Sequence, residues 1–180
     1  MTNKVDFLPI NISIVTISDT RNLMSDKSGD VLVQRVERSG HKLLSRKIVK
    51  DDFDQISELF QHLINDKNID VIISTGGTGL TGRDITPEVM KTLFEKSIDG
   101  FGEMFRWLSF SKIGTSALQS RALAGVTKGT YIFCLPGSPS ACKDGWDNIL
   151  VHQLDLRHKP CNFVEIMPRL QEHEVSRIKI

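Results

Sequence analysis

Short runs of β-branched and apolar residues alternate along the chain with segments in which apolar residues recur at helical spacing. The short runs are typical of buried strands, and they cover residues 10–17, 41–49, 71–75 and 130–135. The helical spacing is that of an amphipathic helix and is clearest over residues 56–64. Strands that alternate with helices predict an α/β fold, a three-layer αβα sandwich with a mostly parallel sheet.

Residues with side-chain oxygens mark where the predicted helices begin. An N-cap oxygen accepts a hydrogen bond from a free N–H group of the first turn, and the predicted N-caps are Ser28, Asp52, Thr86 and Ser138. Pro87 strengthens the prediction at Thr86, because proline suits the first helical position. Residues 99–124 are predicted to be helical in two pieces, interrupted near Gly114.

The composition and charge predict the number of domains, the kinds of partner and the compartment of the protein. With 39% hydrophobic and 25% charged residues, the 180-residue chain is typical of one globular domain. That domain covers residues 1–180, and residues 164–180 form a C-terminal tail of unclear role. A net charge of +1 gives no overall attraction for nucleic acid or an anionic membrane, so neither is expected as a partner. The sequence has no apolar signal core and no apolar stretch of about 18 residues, which predicts a cytoplasmic protein.

The cysteines agree with that compartment. Cys134, Cys142 and Cys161 are odd in number and lack the spacing of a zinc site or a disulfide framework. Free, packed thiols in a reducing environment are therefore expected.

The segment over residues 70–88 carries most of the functional information. Four glycines follow its apolar strand: Gly76, Gly77, Gly79 and Gly82. At such positions the backbone can adopt positive φ or lie against a ligand. Arg83 and Asp84 stand at the tip of the loop, before the next helix. A loop of this kind offers N–H groups and hydroxyls to a phosphate and a carboxylate to a metal ion, which predicts a nucleotide or phosphate site.

Two known phosphate-binding motifs overlap this loop, and the context argues against both. Residues 77–82 match GxGxxG, but a dinucleotide fingerprint opens its helix within the glycines, whereas the helix signals here come at residues 86–88. The same residues have the span of a Walker A loop, which requires Lys and Ser/Thr where this chain has Arg83 and Asp84. A turn without a ligand is a third interpretation, and it leaves the Arg–Asp pair and the length of the loop unexplained.

Polar loops follow the predicted strands, and ligands of open α/β sheets bind outside the carboxyl ends of the strands. These loops hold Ser18 and Asp19, Asp51 and Asp52, residues 75–86, and residues 136–138. Asp52 is assigned to the helix cap, which leaves Asp51 to face the cleft with Asp84. Two carboxylates in one cleft repel each other unless a cation lies between them, and Mg²⁺ takes such oxygens together with substrate phosphates. The pair therefore predicts a site for nucleotidyl transfer.

Residues 75–88, TGGTGLTGRDITPE, resemble the signature of the molybdopterin-binding family, MoaB and MogA. Shorter segments agree: SD at 18–19, GFGE at 100–103 and LPGS at 135–138. Residues 113–126, IGTSALQSRALAGV, and 159–163, KPCNF, are most similar to the MoaB branch. The resemblance covers roughly residues 8–163.

This resemblance implies a reaction: active relatives adenylylate molybdopterin with ATP and Mg²⁺, and pyrophosphate leaves. Asp51 and Asp84 match the family's catalytic, metal-binding acids. The implied substrate- and nucleotide-binding residues are Ser18, Asp19, Gly76, Gly77, Thr78, Gly79, Glu103, Ser120, Arg121, Pro136, Gly137 and Ser138. Among these, Arg121 is a candidate contact for the pterin phosphate. Molybdopterin, ATP and other molybdenum cofactor synthesis proteins are the expected partners.

A second function from another class stays open, because some members of the MoaB branch are thought to be non-catalytic. Such a protein would bind molybdopterin as a scaffold without adenylylating it, although an acid at position 51 favours catalysis. Residues 101–110 are more apolar than one exposed helix requires. They are expected to pack in the core or in a subunit interface, and the relatives suggest a homotrimer or homohexamer.

Overall fold

The computed structural model describes residues 5–173, and its centre is a six-stranded sheet in the order β2-β1-β3-β6-β5-β4. The strands are β1 (Asn11–Ile17), β2 (Lys42–Val49), β3 (Val71–Thr75), β4 (Lys96–Ser97), β5 (Leu123–Thr127) and β6 (Thr130–Leu135). β2, β1, β3 and β6 run parallel to one another, whereas β5 is antiparallel to both of its neighbours. The carboxyl ends of the parallel strands therefore meet at one edge of the sheet.

Helices cover both faces of this sheet. They are α1 (Lys27–Arg38), α2 (Phe53–Asn65), α3 (Thr86–Leu93), α4 (Asp99–Ile113), α5 (Pro139–Gly145), α6 (Val151–Gln153) and α7 (Phe163–Ile166). One apolar core packs α1, α4 and α5 against the sheet around Phe133, and the other packs α2 and α3 around Phe60 and Ile72. The predicted αβα sandwich with a mostly parallel sheet is confirmed. In the described part of the chain, no helix has the length and apolar content needed to cross a membrane.

Two predicted N-caps are wrong, and two agree with the structure. Asp26 rather than Ser28 caps α1, because its carboxylate accepts the N–H of Gly29 at 2.9 Å. Thr86 lies inside α3 as its first residue, and Ile85 precedes it without a side-chain cap. The side chains of Asp52 and Ser138 accept backbone N–H groups at the starts of α2 and α5, as predicted.

The helical prediction for residues 99–124 is wrong at its end. α4 stops before Gly114, as expected, and a 3₁₀ segment, Gly114–Gln119, follows it. Leu123–Thr127, however, is a strand paired antiparallel with β6. Lys128 and Gly129 join the two strands, and both have positive φ, 47° and 84°. This geometry is that of a type I′ hairpin, and Lys-Gly is a weaker sequence signal for it than Asn-Gly.

The first part of the C-terminal segment packs on the domain. Val164 is buried in the core that contains Tyr131 and Phe133, and the ring of Phe163 lies 4.9 Å from that of Tyr131. Residues 174–180 lie outside the described residues. The region 164–173 therefore packs near the amino end of β6, since Tyr131 is at the start of that strand.

Candidate functional site

A cleft of about 670 Å³ lies at the carboxyl ends of β1, β3 and β6. It brings together residues from four loops that are distant in sequence. The predicted site residues that line it are Ser18, Asp19, Asp51, Gly76, Gly77, Thr78, Gly79, Asp84, Ser120, Pro136, Gly137 and Ser138. Glu103 and Arg121 are the predicted residues that do not line it.

The glycine loop needs glycine at its first two positions. Gly76 has a φ of 109°, and a Cβ atom there would lie 2.1 Å from the carbonyl oxygen of Ile17. Gly77 has a φ of 63°, and its Cβ atom would lie 2.2 Å from Oγ1 of Thr86. Any other residue would be strained and would collide with its surroundings. The loop therefore packs closely against the end of β1 and the start of α3.

Thr86 fastens this loop to α3. Its Oγ1 donates to the carbonyl of Gly76 at 3.1 Å, and its backbone N–H donates to the carbonyl of Gly77 at 3.0 Å. The residue is fully buried. The threonine expected to cap the helix thus ties the loop to the helix instead, which satisfies two backbone carbonyls that would otherwise be buried without partners.

Asp84 holds the tip of the same loop. Its Oδ2 accepts hydrogen bonds from the backbone N–H and the hydroxyl of Thr81, at 2.9 and 2.6 Å. The hydroxyl of Thr81, its backbone N–H and that of Gly79 lower the pKa of Asp84 below its ordinary value. A Cβ atom on Gly79 would lie 2.7 Å from Oδ2 of Asp84. Asp84 is therefore a charged carboxylate at neutral pH, and glycine at position 79 allows it to lie close to the loop.

Asp51 and Asp52 lie where the sequence predicts, one in the cleft and one at the helix cap. The carboxylate of Asp52 caps α2 by accepting the N–H of Gln55 at 3.0 Å. Asp51 points to the cleft, and its Oδ1 is buried without a hydrogen-bond partner. Burial raises the pKa of Asp51, and the carboxylates of Asp84 and Asp19 raise it further, against the lowering effect of the Ile85 backbone N–H. A buried carboxylate oxygen without a partner destabilises the folded protein unless a ligand or an ion binds to it.

Asp19 and Arg83 join two sides of the cleft. The guanidinium of Arg83, at the tip of the glycine loop, lies 2.7 Å from Oδ2 of Asp19, which follows β1. The other oxygen of Asp19 accepts the backbone N–H of Asp51 at 3.3 Å. The ion pair therefore connects the glycine loop to the loops that follow β1 and β2.

Arg121 supports the glycine loop from outside the cleft. Its Nε donates to the carbonyl of Gly79 at 2.7 Å, one terminal nitrogen donates to the carbonyl of Asp84 at 2.6 Å, and the other pairs with Glu88. Its backbone N–H also donates to the carbonyl of Thr78 at 3.1 Å. The guanidinium expected to contact the pterin phosphate is thus occupied by the chain itself.

Glu103 lies away from the cleft. It lines a second, smaller cavity of about 290 Å³ between α4 and β5, together with Lys91 and Arg106. Arg106 donates to the carbonyl of Ala122 there at 3.3 Å. The GFGE segment therefore has its acid in this second cavity and outside the cleft.

The opposite wall of the cleft consists of residues 136–138. The carbonyl of Pro136 accepts the Thr75 hydroxyl, and that of Gly137 accepts the Ser28 hydroxyl, both at 2.9 Å. Ser28, expected as a helix cap, thus holds this wall instead. Because both carbonyls point into the protein, this wall keeps its position without a ligand.

Sequence reasoning missed the side of the cleft that α4 provides. Phe105, Ser109 and Ile113 line it, one helical turn apart. The signal was present in their spacing, because residues four apart lie on one face of a helix. Residues 101–110 are expected only in the core or in a subunit interface, since nothing in the spacing alone shows which surface of the helix faces a ligand.

The donor set of the cleft suits a hard cation that also binds phosphate. Within residues 5–173, no cluster of three or more His, Cys, Asp or Glu side chains could hold a metal ion by itself. Asp51 and Asp84 nevertheless interact electrostatically, and one oxygen of Asp51 lacks a partner. Mg²⁺ is commonly held by one or two carboxylates and completes its shell with water and phosphate oxygens. The residues present fit Mg²⁺ as an ion delivered with a phosphorylated ligand.

Known proteins have a similar fold and a similar sequence. Molybdenum cofactor biosynthesis protein B of Escherichia coli K12 is 45% identical over 158 residues, which are 88% of this chain and 93% of that protein. A crystal structure of a molybdenum cofactor biosynthesis protein B has a TM-score of 0.77 at 36% identity, covering 94% of this chain and 98% of its own. The tungsten cofactor synthesizing protein MoaB from Pyrococcus furiosus has a TM-score of 0.68 at 30% identity, over 96% and 98% of the two chains. Residues 13–156 match the family described as a probable molybdopterin binding domain, and the chain belongs to that family.

Proposed function

We propose that the protein binds molybdopterin in the cleft and adenylylates it with Mg-ATP. Membership of the family supports a role in molybdenum cofactor biosynthesis. The observation that carries the finer proposal is Asp51: a buried, unpartnered carboxylate oxygen beside a second carboxylate and a glycine loop. A carboxylate pair in this position suits nucleotidyl transfer better than simple binding of an anion, which it would repel.

In the proposed reaction, an oxygen of the terminal phosphate of molybdopterin attacks the α-phosphorus of ATP. A new P–O bond forms, the bond from the α-phosphorus to the bridging oxygen breaks, and pyrophosphate leaves with the bonding electron pair. Mg²⁺ held by Asp51 and Asp84 would neutralise charge on the phosphates. The remaining work is positioning: the backbone of residues 76–79 receives the phosphates, and residues 136–138 form the opposite wall.

A non-catalytic binding protein is the second candidate, and one observation favours it. Asp84 already has hydrogen bonds from Thr81 within the loop. Its carboxylate therefore has a structural role in the loop without any metal ion. A scaffold that only holds molybdopterin would retain Asp84 for this reason.

The experiment is incubation of the purified protein with molybdopterin, ATP and Mg²⁺, followed by separate assays for adenylylated pterin and pyrophosphate. Wild type should release the two products in equal amounts. Asp84→Asn should keep the circular dichroism spectrum and lose turnover, because an amide is a weaker cation ligand. A wild type that binds molybdopterin and releases neither product would contradict the proposed enzyme activity and support the non-catalytic binding protein.

We also propose that the protein forms a homotrimer or homohexamer. The outer face of α4 and the 3₁₀ segment after it expose large apolar side chains: Met104 at 51%, Trp107 at 74%, Phe110 at 59% and Leu118 at 80%. Several large apolar side chains exposed on neighbouring turns are typical of a protein–protein contact. A second copy of the chain is the expected occupant, because most soluble oligomers are homo-oligomers.

A further inference from the structure

The ion pair between Arg83 and Asp19 is an exchangeable contact at the mouth of the cleft. The side chain of Arg83 is 78% exposed and that of Asp19 is 28% exposed. Exposed ion pairs contribute little to stability, because water and salt screen them and the side chains lose freedom. Little therefore holds Arg83 to Asp19 when a stronger anion arrives.

The charges along the cleft make Arg83 the cation best placed to meet that anion. The carboxylates among the lining residues are Asp19, Asp26, Asp51 and Asp84, and the guanidiniums are Arg21 and Arg83. Arg21 donates to the carbonyl of Ser25 within its own loop, at 3.0 Å. A phosphorylated ligand entering an acidic cleft needs a compensating charge on the chain, and Arg83 stands on the loop that would receive its phosphates.

A phosphate competes well with a carboxylate for this guanidinium. Arginine binds phosphate through two parallel N–H···O bonds, and such charge-assisted bonds are stronger than a monodentate exposed pair. The exchange also makes the positive charge of Arg83 available to the ligand, since the carboxylate of Asp19 otherwise neutralises it. Both effects favour transfer of Arg83 from Asp19 to the ligand.

We propose that Arg83 is a phosphate-binding residue that leaves Asp19 when a phosphorylated ligand enters the cleft. Asp19 competes with phosphate for the guanidinium of Arg83. Its carboxylate keeps that guanidinium across the mouth of the cleft until phosphate replaces the carboxylate. This inference rests on the proposed function only in taking the ligand to carry phosphate at the glycine loop. It assigns to Arg83 binding of the phosphate groups and no part in bond making.

The test uses pyrophosphate without any metal ion, titrated by calorimetry into the wild-type chain and into Arg83→Gln. The substitution should weaken pyrophosphate binding by about tenfold, the loss expected for hydrogen bonds to a charged group. Arg38→Gln is the matched control, since Arg38 is an exposed arginine in the last turn of α1. It should bind pyrophosphate as the wild type does. Equal affinities for the two variants, or no binding by the wild type, would overturn the proposal.

A double-variant cycle tests the competition itself. Asp19→Asn removes a repelling charge in any background, but it also frees Arg83 wherever Arg83 is present. It should therefore tighten pyrophosphate binding more in the wild-type background than in Arg83→Gln. Equal gains in the two backgrounds would show that Asp19 does not hold Arg83 back.

The Nε–Hε resonance of Arg83 provides a direct readout, assigned by its absence in Arg83→Gln. It should shift during the pyrophosphate titration with the affinity that calorimetry gives, and a resonance that does not move would contradict the exchange. The result of this test can be distinguished from the result of the adenylylation assay. Adenylylation with an unshifted Arg83 would refute the exchange alone, whereas an Arg83-dependent pyrophosphate site without turnover would refute the enzyme alone.

Discussion

Neighbouring aspartates with different roles allow a sharp test of the cation site. Asp52 caps α2 through the N–H of Gln55, whereas Asp51 lines the cleft and has one buried carboxylate oxygen without a hydrogen-bond partner. We predict that Asp51→Asn abolishes stabilisation by Mg²⁺ without lowering stability in its absence. Asp52→Ala should do the opposite, losing stability while keeping the response to Mg²⁺. The two changes are one residue apart, so general disturbance of the loop affects both.

The metal-free magnitudes follow from the contacts. Loss of the Asp52 cap should lower the free energy of unfolding by about 1 kcal/mol, which is about 2–4 °C in Tm for a chain of this size. Asp51 has a pKa raised above its ordinary value of 3.8. Its ionised form is therefore disfavoured in the folded state, and stability present below pH 3.8 is lost as the pH rises through the raised pKa. Asparagine does not titrate, so Asp51→Asn should equal or exceed wild-type stability at neutral pH and lose that advantage in acid.

Addition of Mg²⁺ reverses the order of the two variants. An ion that binds only the folded protein stabilises it by about 2.7 kcal/mol at a concentration 100 times its Kd, or about 5–10 °C in Tm. Wild type and Asp52→Ala should both show this shift in a Mg²⁺ titration followed by thermal unfolding. Asp51→Asn should show little of it.

The assay is a set of thermal melts at neutral and acid pH, with and without Mg²⁺, on the three proteins. Turnover measured on the same samples links the ion to the reaction. An Asp51→Asn protein with the full Mg²⁺ shift would refute the assignment of Asp51 as a cation ligand. An Asp51→Asn protein destabilised at neutral pH without Mg²⁺ would refute the argument that its carboxylate is held at an energetic cost.

Further predictions concern the loop and the outer surface. Gly79→Ala should weaken pyrophosphate binding in calorimetry, because its Cβ atom would lie 2.7 Å from Asp84, whereas Gly82→Ala, with nothing within 4 Å, should bind as wild type. Arg121→Met should destabilise the fold by about 1–3 kcal/mol in urea unfolding, since it leaves loop carbonyls unsatisfied; unchanged stability would show that the arginine does not hold the loop. Trp107→Lys should reduce the mass measured by light scattering to that of a monomer, and a wild type that is already monomeric would contradict the predicted homo-oligomer.

The parts of the fold that sequence predicts well are those specified by local chemistry. β3 and β6, at the centre of the sheet, are mostly apolar runs, and the caps at Asp52 and Ser138 use the hydrogen bond that their side chains make best. The parts that it missed depend on contacts between distant residues. Residues 123–127 are a strand because β6 is available for pairing across a Lys-Gly turn, and their own sequence does not require it.

The same distinction applies to the candidate site. Residues 76–79 and Asp84 belong to one continuous motif, and the cleft contains all of them. Arg121 belongs to a distant segment, so the family resemblance implies that it lies near the site but does not show where its donors point. The structure shows them bonded to the carbonyls of Gly79 and Asp84. The partners of a side chain, rather than its type, separate support of a loop from contact with a ligand.

The hydrogen-bond partners of the acids in the cleft show which of these acids is the most informative one to change. Asp26 has Arg46, Thr16 and the N–H of Gly29 as partners, so it is explained as a part of the fold. Asp84 has partners within its own loop, and loss of turnover in its variants is compatible with a displaced loop as well as with a lost ligand. Asp51 has a buried oxygen that the described chain leaves without a hydrogen-bond partner. A ligand is the simplest explanation for that oxygen, and variants of Asp51 therefore distinguish a cation site from a structural turn where those of Asp84 do not.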